Sequence, residues 1–109
     1  MGLDVRFIRR KKIVCPHCGG LVGHTDEDCI YGGGRAWYPF LESIGYYVDY
    51  EQRTEENDWY GKDMVLTNAQ AEELYRFIQT HDPYGVVGLP QLIATARFEN
   101  DDIVVNADW

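Results

Sequence analysis

Leu3-Asp4-Val5-Arg6-Phe7-Ile8-Arg9-Arg10-Lys11-Lys12-Ile13-Val14 runs directly into Cys15-Pro16-His17-Cys18-Gly19-Gly20, and the reading of this stretch decides the fold. Leu3, Val5 and Phe7 alternate with Asp4 and Arg6, the period-2 pattern of a strand with one buried face. Arg9 to Lys12 is expected to form a turn or an exposed edge, with Ile13-Val14 opening a short second strand. Residues 15–34 are poor in core formers and hold Gly19, Gly20, Gly23, Gly32, Gly33 and Gly34. A loop of that composition has too little apolar surface to order itself by burial, so it is expected to need another staple.

Further along, Trp37, Phe40, Leu41 and Ile44 fall at i, i+3, i+4 and i+7, which predicts a helix over 37–44. Pro39 suits its first turn and Gly45 its end. Tyr46, Val48 and Tyr50 alternate with Tyr47, Asp49 and Glu51, predicting a strand, and residues 52–61 read as an acidic loop. Met64 to Leu66 reads as a short strand. A helix over Asn68–Gln79 follows, with Thr67 and Gln70 at capping-box spacing and Ala71, Leu74, Phe77 and Ile78 as its buried stripe. His81 falls near the negative end of that helix dipole and Pro83 ends the helix. Residues 84–89 read as a connection, Pro90 starts a third helix with Leu92, Ile93 and Ala96 inward, and Ile103-Val104-Val105 closes as a strand. Strands and helices are mixed without regular alternation, which predicts a single α+β domain over 1–109. Its expected form is a small, mostly antiparallel sheet with two or three helices on one face and an N-terminal zinc-binding loop.

The chain of 109 residues is 45% hydrophobic and 14% aromatic, enough for one core and incompatible with disorder. No apolar run is long enough to span a membrane, and Arg6 and Arg9 to Lys12 interrupt any signal-peptide core, so a cytoplasmic protein is expected. The net charge of −8 is uneven: residues 1–14 carry +4 and the remainder −12. An acidic body of that kind repels phosphate backbones. The basic strip either contacts nucleic acid or pairs with the acidic body, and the plainer reading is a solvated first strand.

All three cysteines lie within Cys15–Cys29, an odd number that leaves no complete disulfide framework. Cys15 and Cys18, two residues apart, place both thiolates on one metal when the chain turns tightly, and Pro16 with Gly19-Gly20 suits that turn. His24 and Cys29 complete a tetrahedral Cys3His set for structural Zn²⁺. His17 is the alternative fourth ligand, although its place between two ligating cysteines turns its ring outward. Free thiols with a surface histidine are the plain alternative. Cys-Pro-His-Cys also occurs as a disulfide-oxidase tetrapeptide, but that chemistry needs the first cysteine at a helix N-terminus, and no helical pattern begins here.

The Cys15…Cys18…Gly23-His24…Cys29 segment resembles a zinc knuckle, a short module that binds single-stranded nucleic acid. It departs from that pattern by one extra residue between Cys18 and His24. It also lacks the stacking aromatics and basic residues of knuckles and carries Asp26-Glu27-Asp28 instead. The resemblance therefore implies the metal and not the nucleic acid. Met1 to Val5, the cysteine loop, the Trp37–Tyr47 segment and Gly61 to Thr67 together resemble small phage or prophage accessory proteins. That class includes inhibitors of host defence such as anti-CRISPR proteins, which implies a binding role.

No enzyme motif stands out: Gly32-Gly33-Gly34-Arg35 lacks the Lys-Ser/Thr of a phosphate loop, and the acidic spacing fits no EF-hand. Asp49, Glu51, Glu55, Glu56 and Asp58 are opposed only by Arg53, with Trp59 and Tyr60 beside them. This is read as a solvated loop or, more sharply, as an acidic surface with aromatic anchors for a protein partner bearing a basic surface. A zinc-stabilised, non-enzymatic protein-binding module is the expected function. The alternative is a nucleic-acid-binding accessory protein using residues 6–12 beside the zinc loop.

Overall fold

A computed structural model describes residues 3–81 and 88–109. The strands are β1 (Asp4–Val14), β2 (Leu21–Gly33), β3 (Met64–Val65) and β4 (Asp102–Asp108), and the helices are α1 (Tyr38–Ser43), α2 (Asn68–His81) and α3 (Leu89–Glu99). The sheet order is β2-β1-β4-β3 and every pairing is antiparallel. The α+β reading therefore holds. On the inner face Val5 lies opposite Ala107, Phe7 opposite Val105 and Arg9 opposite Ile103. The apolar members of these pairs join Trp37, Phe40, Leu41, Leu74, Leu92, Ile93 and Ala96 in one buried cluster. At its edge Arg9 donates to Asp101 at 2.6 Å, and only 3% of the Asp101 side chain is exposed.

Two strand expectations are corrected. Arg9 to Lys12 is not a turn, because β1 runs unbroken to Val14, although Lys11 and Lys12 are exposed and lie beyond the pairing with β4. The segment 15–34 is not an irregular loop either: only residues 15–20 turn, and Leu21–Gly33 returns as β2 along the whole of β1. What orders β2 is its partner. Backbone pairing spans Asp4–Gly33 to Val14–Leu21, and Arg9 and Arg10 reach Asp28 and Asp26 at 2.9 and 2.7 Å. Opposite charges facing each other across an antiparallel pair stabilise it without any core of their own. Gly33 is required where β2 passes close to β1, since a Cβ there would come within 2.9 Å of the Leu3 carbonyl oxygen.

The strand expected over Tyr46–Tyr50 is absent. Gly45 turns the chain at φ +76°, and the amides of Tyr46 and Tyr47 both donate to the Leu41 carbonyl, at 2.9 and 3.1 Å. The chain is thereby folded back onto α1 and continues into a single 3-10 turn at Tyr50–Gln52. The helix read as 37–44 is α1 preceded by a 3-10 turn over Arg35–Trp37, with Trp37, Phe40 and Leu41 buried as expected. In α2 the capping box forms in both directions: the Thr67 amide donates to Gln70 Oε1 at 2.9 Å, and the Gln70 amide to Thr67 Oγ1 at 3.1 Å. Thr67→Ala is expected to cost about 1 kcal/mol in urea unfolding, the usual worth of an N-cap. Residues 84–87, Pro83 and the His81 side chain, expected to end α2 and connect it onward, lie outside the described residues. No helix among the described residues is long and apolar enough to cross a membrane.

Candidate functional site

The hairpin of β1 and β2 is longer than the sheet that supports it. β4 stops pairing with β1 at Arg10–Asp102, whereas the two hairpin strands continue together to Val14–Leu21. The last four residues of β1 therefore form a two-stranded arm of about 14 Å at ~3.4 Å per residue. At its tip the Cys15 amide donates to the Gly20 carbonyl at 2.8 Å and the Gly19 amide to the Cys15 carbonyl at 2.9 Å. Gly19 adopts φ +71° to make that turn, a left-handed conformation natural to glycine. The Gly20 amide donates to Cys18 Sγ at 3.4 Å. The Cys15 thiol is held below its ordinary pKa by hydrogen bonds from the Cys18 and His17 amides and then by the Cys18 thiol. Cys15 and Cys18 therefore share one tight turn, as their spacing implies.

The other two residues of the zinc set lie along the ladder. His24 pairs with Lys12, and Cys29 pairs with Ile8, six β1 residues back from Val14. At ~3.4 Å per residue that separates Cys29 from the tip by about 20 Å. Among the described residues no three His, Cys, Asp or Glu side chains gather as a metal-ligand group, and all three cysteines are free thiols. No helix begins at Cys15, so the dipole that thiol oxidases use to activate their first cysteine is not present there.

Cys29 instead belongs to the outer face of the sheet. There a shallow hollow of about 390 Å³ is lined by Arg6, Ile8, Arg10, Asp26, Cys29, Tyr31, Asp63 and Asn106. Arg10 bridges Asp26 at 2.7 Å and Asp63 at 3.1 Å, while Asn106 accepts from Arg6 and donates to Asp63, both at 2.8 Å. Asp26 is held below the usual carboxylate range by Arg10, and Asp63 by Asn106 and then Arg10. The Tyr31 phenol is raised by its hydrogen bond with Cys29. The two arginines are matched by two carboxylates, so the hollow carries no surplus charge with which to capture an ion.

The basic strip is spent in the same way. Arg6 lies 3.8 Å from Asp108, Arg9 binds Asp28 and Asp101, Arg10 binds Asp26 and Asp63, and Lys12 lies 3.5 Å from Asp102. Among the described residues only Lys11 of this strip has no ion pair. The signal for this network was in the sequence: a basic run and an acidic run stand on either side of a turn, at distances that a hairpin superposes.

The acidic segment 49–58 is built differently. Asp49, Glu51, Glu55 and Glu56 are exposed, Asp58 is half-buried, and none makes an ion pair among the described residues. Arg53, the one cation among them, donates to the Val48 carbonyl at 2.9 Å and stacks over Trp109 and Tyr47 at 5.2 and 5.6 Å. Beneath it the rings of Tyr47 and Tyr60 meet Trp109 edge-on at 5.0 and 4.9 Å, and Tyr38 meets Tyr47 at 4.8 Å. Trp59, expected as an anchor, is half-buried against Tyr46, whereas Tyr60 is half-exposed. Tyr50, expected as a strand residue, is 84% exposed, the most of any ring in this segment. The loop is thus an acidic rim on an aromatic platform.

Comparison with protein-family models, with curated proteins and with solved structures finds no match to this chain.

Proposed function

We propose that this protein is a non-enzymatic, acidic protein-binding module that engages a partner with a basic surface. The observation that carries the reading is the 49–58 rim: five carboxylates without an ion pair among the described residues, on a platform fixed by Tyr47, Tyr60, Trp109 and Arg53. Such charges set the rate and register of encounter with a cationic surface. Tyr50 and Tyr60 supply the apolar contacts that long-range charge does not. A phage-type inhibitor of a host nucleic-acid-binding protein, of the anti-CRISPR kind, fits this chemistry, because the rim can occupy a groove that otherwise takes phosphates. The pairing of Arg6, Arg9, Arg10 and Lys12 with acids weighs against the alternative of nucleic-acid binding through the basic strip.

In this proposal structural Zn²⁺ is bound at the hairpin in the reducing cytoplasm, with Cys15 and Cys18 as its first two ligands. Thiolates two residues apart on a glycine turn suit zinc, and each sulfur has a backbone N–H as a donor. The test of the binding role is capture from the natural host by the intact chain and by the triple variant Glu51→Gln, Glu55→Gln, Glu56→Gln. A partner retained by the parent, released as salt rises and lost by the triple variant is the expected result. Equal retention by both chains removes the rim from the interface.

A further inference from the structure

The hairpin tip offers two ligands to a metal that takes four. We propose that it is half of a site completed by a second copy of this chain, so that one Zn²⁺ joins two hairpin tips through Cys15 and Cys18 of each. The inference rests on the zinc reading above and adds where the remaining ligands come from.

Four observations support it. Cys15 and Cys18 lie on one turn closed by the Cys15–Gly20 and Gly19–Cys15 backbone bonds, and the Gly20 amide points at Cys18 Sγ. Structural zinc is almost always four-coordinate, and the described residues gather no third ligand with the two thiols: His17 joins no such group, and pairing with β1 fixes His24 opposite Lys12 and Cys29 opposite Ile8. To bring Cys29 to the tip, the β1–β2 ladder and its Arg9–Asp28 and Arg10–Asp26 bridges would have to break.

The arm is also apolar beside its tip. Ile13, Val14, Leu21 and Val22 are 42–65% exposed, on a two-stranded ribbon that no third strand joins among the described residues. A two-stranded hairpin is marginal by itself, and a second tip meeting it at the metal would cover part of this apolar surface. Finally, the charge allows the approach. Residues 11–25 hold Lys11 and Lys12 and no acid, in a chain of net charge −8. Two acidic bodies repel, but tip-to-tip contact keeps them an arm's length apart. As the four Zn–S bonds form, the four thiols release their protons to solvent and leave a zinc tetrathiolate of charge −2. Lys11 of each arm, without an ion pair among the described residues, offsets part of that charge.

The experiment uses the full chain, stripped with chelator under reducing conditions and titrated with Zn²⁺, while light scattering reads mass and bound metal is counted. One zinc per two chains and a doubling of the 12.6 kDa mass is the expected result. Cobalt in place of zinc should give the absorption of a tetrathiolate. Cys15→Ser and Cys18→Ser should each abolish the zinc-dependent doubling and leave far-UV circular dichroism unchanged, because both residues lie on the turn outside the core. Cys29→Ser and His24→Ala should leave the doubling intact. One zinc per monomer, lost on Cys29→Ser or His24→Ala, overturns the shared site and keeps zinc as a staple within one chain. Absence of zinc uptake by the folded chain overturns both. Doubling that persists in chelator shows dimerisation by the apolar arm without the metal, and it too overturns the proposal.

Discussion

Trp37→Ala is expected to cost about 3–5 kcal/mol and to lower the melting temperature by about 15–30 °C. Trp37 is fully buried, and its ring centroid lies 4.9 Å from Phe7, 5.2 Å from Phe77 and 6.2 Å from Phe40. It thus joins β1, α1 and α2 at one point. Truncation removes the largest ring from that junction and leaves a cavity that the three neighbouring rings cannot collapse into. Against a total stability of about 5–15 kcal/mol, such a loss leaves the variant marginal. Trp37→Phe separates two effects. The indole N–H is buried and finds no acceptor among the described residues, so its removal relieves a desolvation penalty while the smaller ring loses contacts. A net cost below about 2 kcal/mol is expected for this change. Urea unfolding followed by near-UV circular dichroism measures both. A cost for Trp37→Ala under about 1 kcal/mol would remove Trp37 from the centre of the core.

Tyr46→Phe should destabilise by about 1–3 kcal/mol although it deletes one oxygen. The Tyr46 hydroxyl donates to the Lys62 carbonyl at 2.6 Å and accepts from the Ala107 amide at 2.8 Å. Ala107 is fully buried in β4, so phenylalanine would leave its N–H without a partner. The same hydroxyl ties the 59–63 turn, and through it the aromatic platform, to the sheet. Its titration adds a second readout. Burial pushes the Tyr46 phenol above its ordinary value. Above about pH 10 the unfolded chain therefore gives up this proton first and binds fewer protons than the folded chain, so stability falls as pH rises. The contribution is complete below that pH and is lost through the alkaline window. Tyr31 is raised as well, so the comparison is between parent and variant: urea midpoints from pH 7 to 11 should converge as pH rises. Parallel curves would show that Tyr46 does not titrate with folding.

Elements whose stability is local were legible in the sequence. Helix α2 was marked by its apolar period and by Thr67 and Gln70, which satisfy each other's backbone donors three residues apart. The alternation of Leu3, Val5 and Phe7 marked the buried face of β1, because a pleated strand separates neighbouring side chains whatever it pairs with. Strand β2 was not legible. Its exposed, glycine-bearing sequence is ordered by β1 opposite it, and no statistic of one segment records that partner. Tyr46 to Tyr50 failed for the opposite reason: its alternation is real, but Gly45 and the Leu41 carbonyl hold the segment against α1, away from any strand edge.

The candidate sites divide along the same line. By itself the sequence determined that Cys15 and Cys18 sit on one turn, because Pro16, Gly19 and Gly20 leave that short segment few other conformations. It determined the surplus of negative charge over residues 49–58 as well, since charge is fixed by composition. Only the tertiary structure decided that Cys29 lies six rungs from the cysteine turn, that Asp63, Asp101, Asp102 and Asp108 pair with the basic strip from outside the hairpin, and that Trp59 serves the core while Tyr50 faces solvent. Strand register and the packing of one element on another set those distances, and both depend on residues far away in the chain.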